Sequence, residues 1–312
     1  MSEQALPIIE THALTRVFKQ TRAVDSLDLS IQAGELFGLV GPDGAGKTTT
    51  LRLLAGLLDI SSGSATVAGC DLARQPEAIK SKMGYMAQQF SLYGELSVME
   101  NLSFFAELYD TPLGQLRQRT ERLLAFADLT EFKDRRAAKL SGGMQKKLAL
   151  ACTLIHEPAI LLLDEPTTGV DPVSRREFWD ILTELYLGGT TVVVSTPYMD
   201  EADRCSRVGL MYAGRLVVCA EPRQIRAQIE GELIELRPDD WQAAHALVEA
   251  LPGVLEVQTY GELLHVLVDS GHRRLPEIEA ALQAHGIADR GARVAPARME
   301  EAFISLIKRL EV

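Results

Sequence analysis

The run Gly41-Pro42-Asp43-Gly44-Ala45-Gly46-Lys47-Thr48-Thr49 has the spacing G-x-x-x-x-G-K-[ST], which leaves the chain around it little choice of local structure. Before it, Glu35–Val40 is a short apolar run that reads as a buried strand; after it, Leu51, Leu54, Leu57 and Leu58 recur at helical spacing through Thr48–Leu58. Strand, glycine loop and helix therefore follow in that order. Glycines in such a loop let successive backbone N–H groups turn toward one centre, and the helix N-terminus adds about half a positive charge behind them. This is a seat for a nucleoside triphosphate. Lys47 is placed to reach the β- and γ-phosphates, the Thr48 hydroxyl to ligate Mg²⁺, and Thr49 to lie close to the α-phosphate.

A chain of 312 residues exceeds the roughly 250–300 at which a single core stops growing, so two unequal domains are expected. Its net charge of −11 argues against a nucleic-acid partner, because phosphate-backbone binding needs a basic surface. Met1–Pro7 carries neither a basic nor an apolar leader region, and no apolar run approaches the roughly 18–20 residues of a membrane span. A cytosolic chain without direct membrane insertion is expected. Cys70, Cys152, Cys205 and Cys219 lack metal-ligand spacing and read as reduced, packed thiols.

Residues 6–20 and 23–31 alternate with period two and read as antiparallel strands with one buried face. Phe18, at the end of the first, fits two roles: a core aromatic or a platform for an adenine ring. Met83–Ala87 is a short strand that opens into Gln88. Ser97 and Glu100 have capping-box spacing ahead of a helix carrying Val98, Leu102, Phe105 and Leu108, and a second helix carries Leu116, Leu123, Leu124 and Phe126. Residues 90–140 thus form a helical insert. Ser141, Gly142 and Gly143 precede an apolar-faced helix over Lys146–Ile155; they fit a second anion site or an ordinary Ser N-cap. Ala159–Leu163 is a buried strand ending in Asp164 and Glu165, and alternation across a strand sends the two acids different ways, Asp164 toward Mg²⁺ and Glu165 toward an attacking water. Thr190–Ser195 is the next buried strand, and Arg207–Leu216 reads as a hairpin around Ala213-Gly214.

The ordered set of phosphate loop, Gln88, Leu140-Ser-Gly-Gly-Met144, Leu163-Asp-Glu-Pro166 and Gly169-Val-Asp171 resembles the ATP-binding subunit of ABC transporters over about residues 6–230. The resemblance implies an α/β fold of the P-loop NTPase class, ABC type, with a mixed sheet core, an antiparallel β-layer and the helical insert. It implies that Phe18 stacks on adenine, that Gln88 senses Mg²⁺ and the membrane partner, and that Ser141-Gly142-Gly143 and Asp171 meet ATP held by a second cassette. Catalytic roles then fall to Glu165, Lys47 and Gln88, Mg²⁺ contacts to Thr48, Gln88 and Asp164, and nucleotide contacts to the loop residues from Gly41 to Thr49. The implied partners are integral-membrane permease subunits and a second ATPase cassette, as homodimer or heterodimer, on the cytoplasmic face of the inner membrane.

Three positions depart from the family pattern. Met144 replaces the usual Gln of the signature, as in a subset serving ABC-2 type exporters, and Asp43 stands where Asn is commoner. Position 197, where the family carries its switch histidine, is Pro197. Beyond the cassette, 1–230, the tail, 231–312, reads as β-α-β-β-α-β, a small ferredoxin-like α+β domain similar to that appended to exporter ATPases, closed by a helix at Met299. Three functions follow: the ATP-hydrolysing subunit of an ABC-2 type exporter, a weakened nucleotide-binding partner lending its signature to another ATPase, or a soluble non-transport ABC ATPase. The last usually carries two cassettes or long coiled-coil arms, and this chain has one cassette and no extended heptads.

Overall fold

The computed structural model describes residues 6–89 and 92–311. Met1–Ala5, Val312, and Phe90 and Ser91 at the start of the expected insert lie outside the described residues. The chain divides into two compact units, Met1–Pro222 and Arg223–Val312.

In the first unit β1 (Ile9–Phe18) and β2 (Thr21–Ile31) pair as an antiparallel hairpin from Ile9 opposite Ile31 to Phe18 opposite Thr21, with register shifts between Thr11 and Val17. β3 (Leu36–Val40) is buried along its whole length and delivers the chain to the phosphate loop and α1 (Lys47–Leu54). That helix stops short of the expected Leu58 because Gly56 takes φ 65°, a left-handed conformation that ends a helix. There follow β4 (Ser62–Val67), β5 (Cys70–Asp71), α2 (Pro76–Lys80) and β6 (Met83–Met86). α3 (Val98–Leu108) starts on the expected capping box: Glu100 N–H donates to Ser97 Oγ at 3.1 Å, and Ser97 N–H donates to Glu100 Oε2 at 2.7 Å. α4 (Leu113–Phe126) completes the insert, and α5 (Gly142–Leu154) returns the chain to the core. Then come β7 (Ile160–Asp164), α6 (Pro172–Leu187), β8 (Thr191–Thr196), α7 (Met199–Ala202), β9 (Arg207–Tyr212) and β10 (Arg215–Ala220).

Two sheets result. One is antiparallel, in the order β2-β1-β4-β5; the other is mixed, in the order β10-β9-β3-β8-β7-β6, with β10 alone antiparallel to its neighbour. The buried side chains Ile9, Leu27, Ile31, Phe37, Leu51, Leu53, Ile160 and Val193 join β1, β2, the mixed sheet and α1 in one core. Because β6, β7, β3 and β8 run parallel, their carboxyl ends share one edge, the general place for ligands in such sheets. The phosphate loop, Gln88, Asp164-Glu165 and Thr196-Pro197 all lie at or just after those ends.

α8 (Pro222–Arg226) opens at the boundary between the units. The second unit then contains β11 (Glu232–Leu236), α9 (Trp241–Glu249), β12 (Val254–Tyr260), β13 (Leu263–Val268), α10 (Gly271–Ala284), β14 (Arg293–Ala295) and α11 (Met299–Glu311). Its antiparallel sheet, ordered β12-β13-β11-β14, has ferredoxin-like β-α-β-β-α-β connectivity. Ile234, Leu236, Leu264, Val266 and Val268 face Ala244 and Val248 of α9 and Ile278 and Leu282 of α10 in a core of their own. Residues of opposite parity, Glu235 and His265, lie on the other face, where His265 Nδ1 sits 2.6 Å from Glu301 Oε1 of α11. Within this unit Arg309 of α11 contacts the Gln228 carbonyl and Glu230. With its own core, residues 223–312 expressed alone are expected to give a dispersed amide NMR spectrum; a collapsed spectrum would count against independent folding.

Candidate functional site

Gly41 and Gly46 are required by close backbone approach. A Cβ on Gly41 would stand 2.2 Å from the Met211 carbonyl oxygen, and one on Gly46, at φ 103°, would stand 2.4 Å from that of Ala23. The loop is closed by Ala45 N–H donating to the Pro42 carbonyl at 3.2 Å, with Asp43 and Gly44 exposed at its tip. Buried Lys47 folds back over it, its Nζ donating to the carbonyls of Gly41 at 2.8 Å and Pro42 at 3.0 Å. Thr48 and Thr49 are half-buried in the first turn of α1.

The acids of β7 meet this loop from a nearby strand. Asp164 Oδ1 accepts from Thr48 Oγ1 at 2.9 Å and from Ser195 Oγ at 2.7 Å. Two hard oxygen donors held side by side suit Mg²⁺. Glu165 points elsewhere: Oε2 accepts from Gln88 Nε2 at 2.7 Å and Thr168 Oγ1 at 3.2 Å, and Oε1 lies 3.5 Å from Lys47 Nζ. Its backbone has φ 45°, unusual for a residue with a Cβ and costing about 1–3 kcal/mol, and is held there by Glu165 N–H donating to the Ser195 carbonyl and hydroxyl. Lys146 of α5 joins the cluster from the other side, its ammonium donating to the Gln88 carbonyl. Burial pushes that ammonium below its ordinary pKa, against the opposing pull of Asp164 and Glu165.

The remaining candidates lie apart from this cluster. Ser141 is the N-cap of α5, its Oγ accepting from Met144 N–H at 3.3 Å, and Gly143 packs so tightly on Ser174 of α6 that a Cβ would stand 2.7 Å from it. Gly142 is exposed beside it, with open space where a Cβ would be. Asp171 caps α6, accepting from Val173 N–H and Ser174 N–H, and these bonds, chiefly that from Ser174, hold its carboxyl below the usual range. The signature and Asp171 are thereby gathered into a second group. Phe18 is 40% exposed at the end of β1, which settles against a purely core role.

Sequence reasoning missed a third group. Glu201, only 1% exposed, accepts from Thr167 Oγ1 at 2.7 Å, Thr196 Oγ1 at 2.5 Å and Arg175 Nε at 2.7 Å. It joins the turn after Glu165, the end of β8 and α6. Arg175 also lies 4.3 Å over the Tyr198 ring, and Tyr198 N–H donates to Thr196 Oγ1 at 3.1 Å. Pro197 is half-buried between these two anchored neighbours.

The ABC transporter family profile matches residues 24–168. The daunorubicin resistance ATP-binding protein DrrA2 of Streptomyces coeruleorubidus is 34% identical over 303 residues, covering 96% of this chain and 94% of that one. The chain belongs to the ABC transporter family. The probable multidrug ABC transporter ATP-binding protein YbhF of Escherichia coli is 42% identical over 288 residues, 91% of this chain, and this chain spans about half of it, 49%. Among solved structures, the ATP-binding cassette MJ0796 in a dimeric post-hydrolysis state with ADP and Pi superposes with a TM-score of 0.64 at 26% identity, over 68% of this chain and 98% of that one. The ABC cassette is the part so matched. Among the described residues of this ABC protein no helix is long and apolar enough to cross a membrane.

Proposed function

We propose that this chain is the ATP-binding and ATP-hydrolysing subunit of an ABC-2 type exporter, working on the cytoplasmic face of the membrane with separate permease subunits. The observation that carries this reading is the convergence of Lys47, Thr48, Gln88, Asp164 and Glu165 at one sheet edge. In it the loop N–H groups and Lys47 hold the triphosphate, and Thr48 and Asp164 hold Mg²⁺, which when bound neutralises phosphate charge. Glu165 orients and deprotonates the attacking water once Lys47 has turned from it to the nucleotide, and Gln88 fixes the carboxylate that does so. Phe18 supplies a stacking face for the base. Ser141, Gly142, Gly143 and Asp171 serve the nucleotide of a second cassette. The names of relatives that act in daunorubicin resistance and multidrug transport favour export. Co-purification from membranes, with identification of the attached chains, tests the partner assignment; recovery of this chain without a permease would overturn it.

Residues 92–110 are the proposed permease-docking surface. Tyr93, Phe104 and Leu108 are exposed apolar side chains there, with Tyr93 and Phe104 in edge-to-face contact at 4.8 Å. Leu108→Glu is expected to release the chain from permease-containing membranes while MgATP affinity stays at the wild-type value. Co-sedimentation measures the first and nucleotide titration the second.

A specific observation favours the second reading, a catalytically weakened partner in a heterodimer. Pro197 has neither a side-chain donor nor a backbone N–H. Thr196, the nearest hydroxyl, already donates to Glu201, and the Tyr198 ring lies under Arg175. The Thr196 hydroxyl is thus committed to Glu201 and does not take the place of a histidine.

A further inference from the structure

We infer that Arg16 is a positioning residue for the nucleotide base, acting through Phe18; the inference rests on the nucleotide-binding reading above. The Arg16 guanidinium carbon stands 4.6 Å from the centroid of the Phe18 ring. Phe18 is 40% exposed, which leaves part of it open to solvent. A purine stacked there would make a three-layer arrangement of guanidinium, benzene ring and base.

The arrangement is anchored. Arg16 Nη1 donates to the Asp59 carbonyl at 2.5 Å, Val17 N–H donates to Ser61 Oγ at 3.0 Å, and Ser61 N–H donates to the Thr15 carbonyl at 2.9 Å. The tip of β1 is thus tied to the segment that follows the phosphate-binding helix. Arg16 Nε is buried without a hydrogen-bond partner. On the hairpin's other strand, Ala23 packs on Gly46, and Gly214 bonds both Asp25 N–H and the Ala45 carbonyl. The hairpin that carries Phe18 is therefore fixed to the phosphate loop on its β2 side and to residues 59–61 on its β1 side. Arg16 fixes the ring's tilt and, through its charge, the electrostatics of the ring.

The test compares MgATP with magnesium tripolyphosphate, which has the phosphates without the base, on the full chain. Arg16→Met keeps the length of the side chain and removes the cation. It is expected to weaken MgATP binding by up to about threefold, a part of what a cation–π contact is worth because that contact is already made in the free chain, and to leave tripolyphosphate binding unchanged. In a Phe18→Ala background the same substitution is expected to have no further effect, which a merely structural role would not produce. Equal weakening of both ligands, no weakening of either, or an undiminished effect without Phe18 would each overturn the inference. Wild-type chain that fails to bind MgATP would instead overturn the nucleotide reading itself, and with it this one.

Discussion

Lys47→Ala is expected to weaken MgATP binding by on the order of 10²–10³-fold, since two hydrogen bonds to a charged group are together worth about 3–4 kcal/mol. The buried ammonium is the phosphate loop's own cation, and its present partners are the carbonyls of Gly41 and Pro42 and the carboxylate of Glu165. These bonds are replaceable by bonds to phosphate oxygens at little cost in reorganisation. Alanine provides nothing in their place. It also leaves two loop carbonyls short of a donor, so the melting temperature of the nucleotide-free chain is the necessary control. Titration with a fluorescent nucleotide reads the effect, and an unchanged affinity in a folded variant would refute the site.

Pro197→His is expected to raise kcat by on the order of 10²–10³ while leaving KM close to wild type, because one donor to developing charge is worth that much in the transition state and little in the ground state. The position suits the exchange. Its neighbours are held by other residues, Thr196 by Glu201 and Tyr198 by Thr196 and Arg175, so the segment does not depend on the proline ring for its place. Steady-state hydrolysis by the purified chain and by the variant decides it. Brisk hydrolysis by the wild type, not raised by histidine, would show that the missing side chain does not limit the rate.

What could be read from the sequence was what is written locally. The phosphate loop carries its own geometry in its glycines, β3 and β7 are short apolar runs with little else to become, and Ser97 and Glu100 form the box their spacing implies. α6 went unread although Asp171-Pro172 is an N-cap followed by a residue suited to the first turn, because its buried set, Phe178, Trp179 and Leu182, is sparse for 16 residues. Glu201 was out of reach for another reason. Its donors Thr167 and Arg175 are 34 and 26 residues away in the chain, and only the packing of β7 and β8 brings them to one carboxylate. The same holds for Arg16 and Asp59, 43 residues apart.

The carboxylate at Glu201 also sets rules for grafting between this cassette and others. It is buried with Arg175 as its charged partner, and removing one member of such a pair costs about 3–5 kcal/mol, whereas exchanging both for packed apolar residues is often neutral. Arg175, Glu201 and the two threonines are therefore a transplantable block, to be carried across whole or left whole. A donor cassette supplying α6 without an arginine at 175 would strand the buried Glu201 carboxylate, and a chimaera joined between Arg175 and β8 would divide the block at its centre. A single exchange at 197 crosses no such seam.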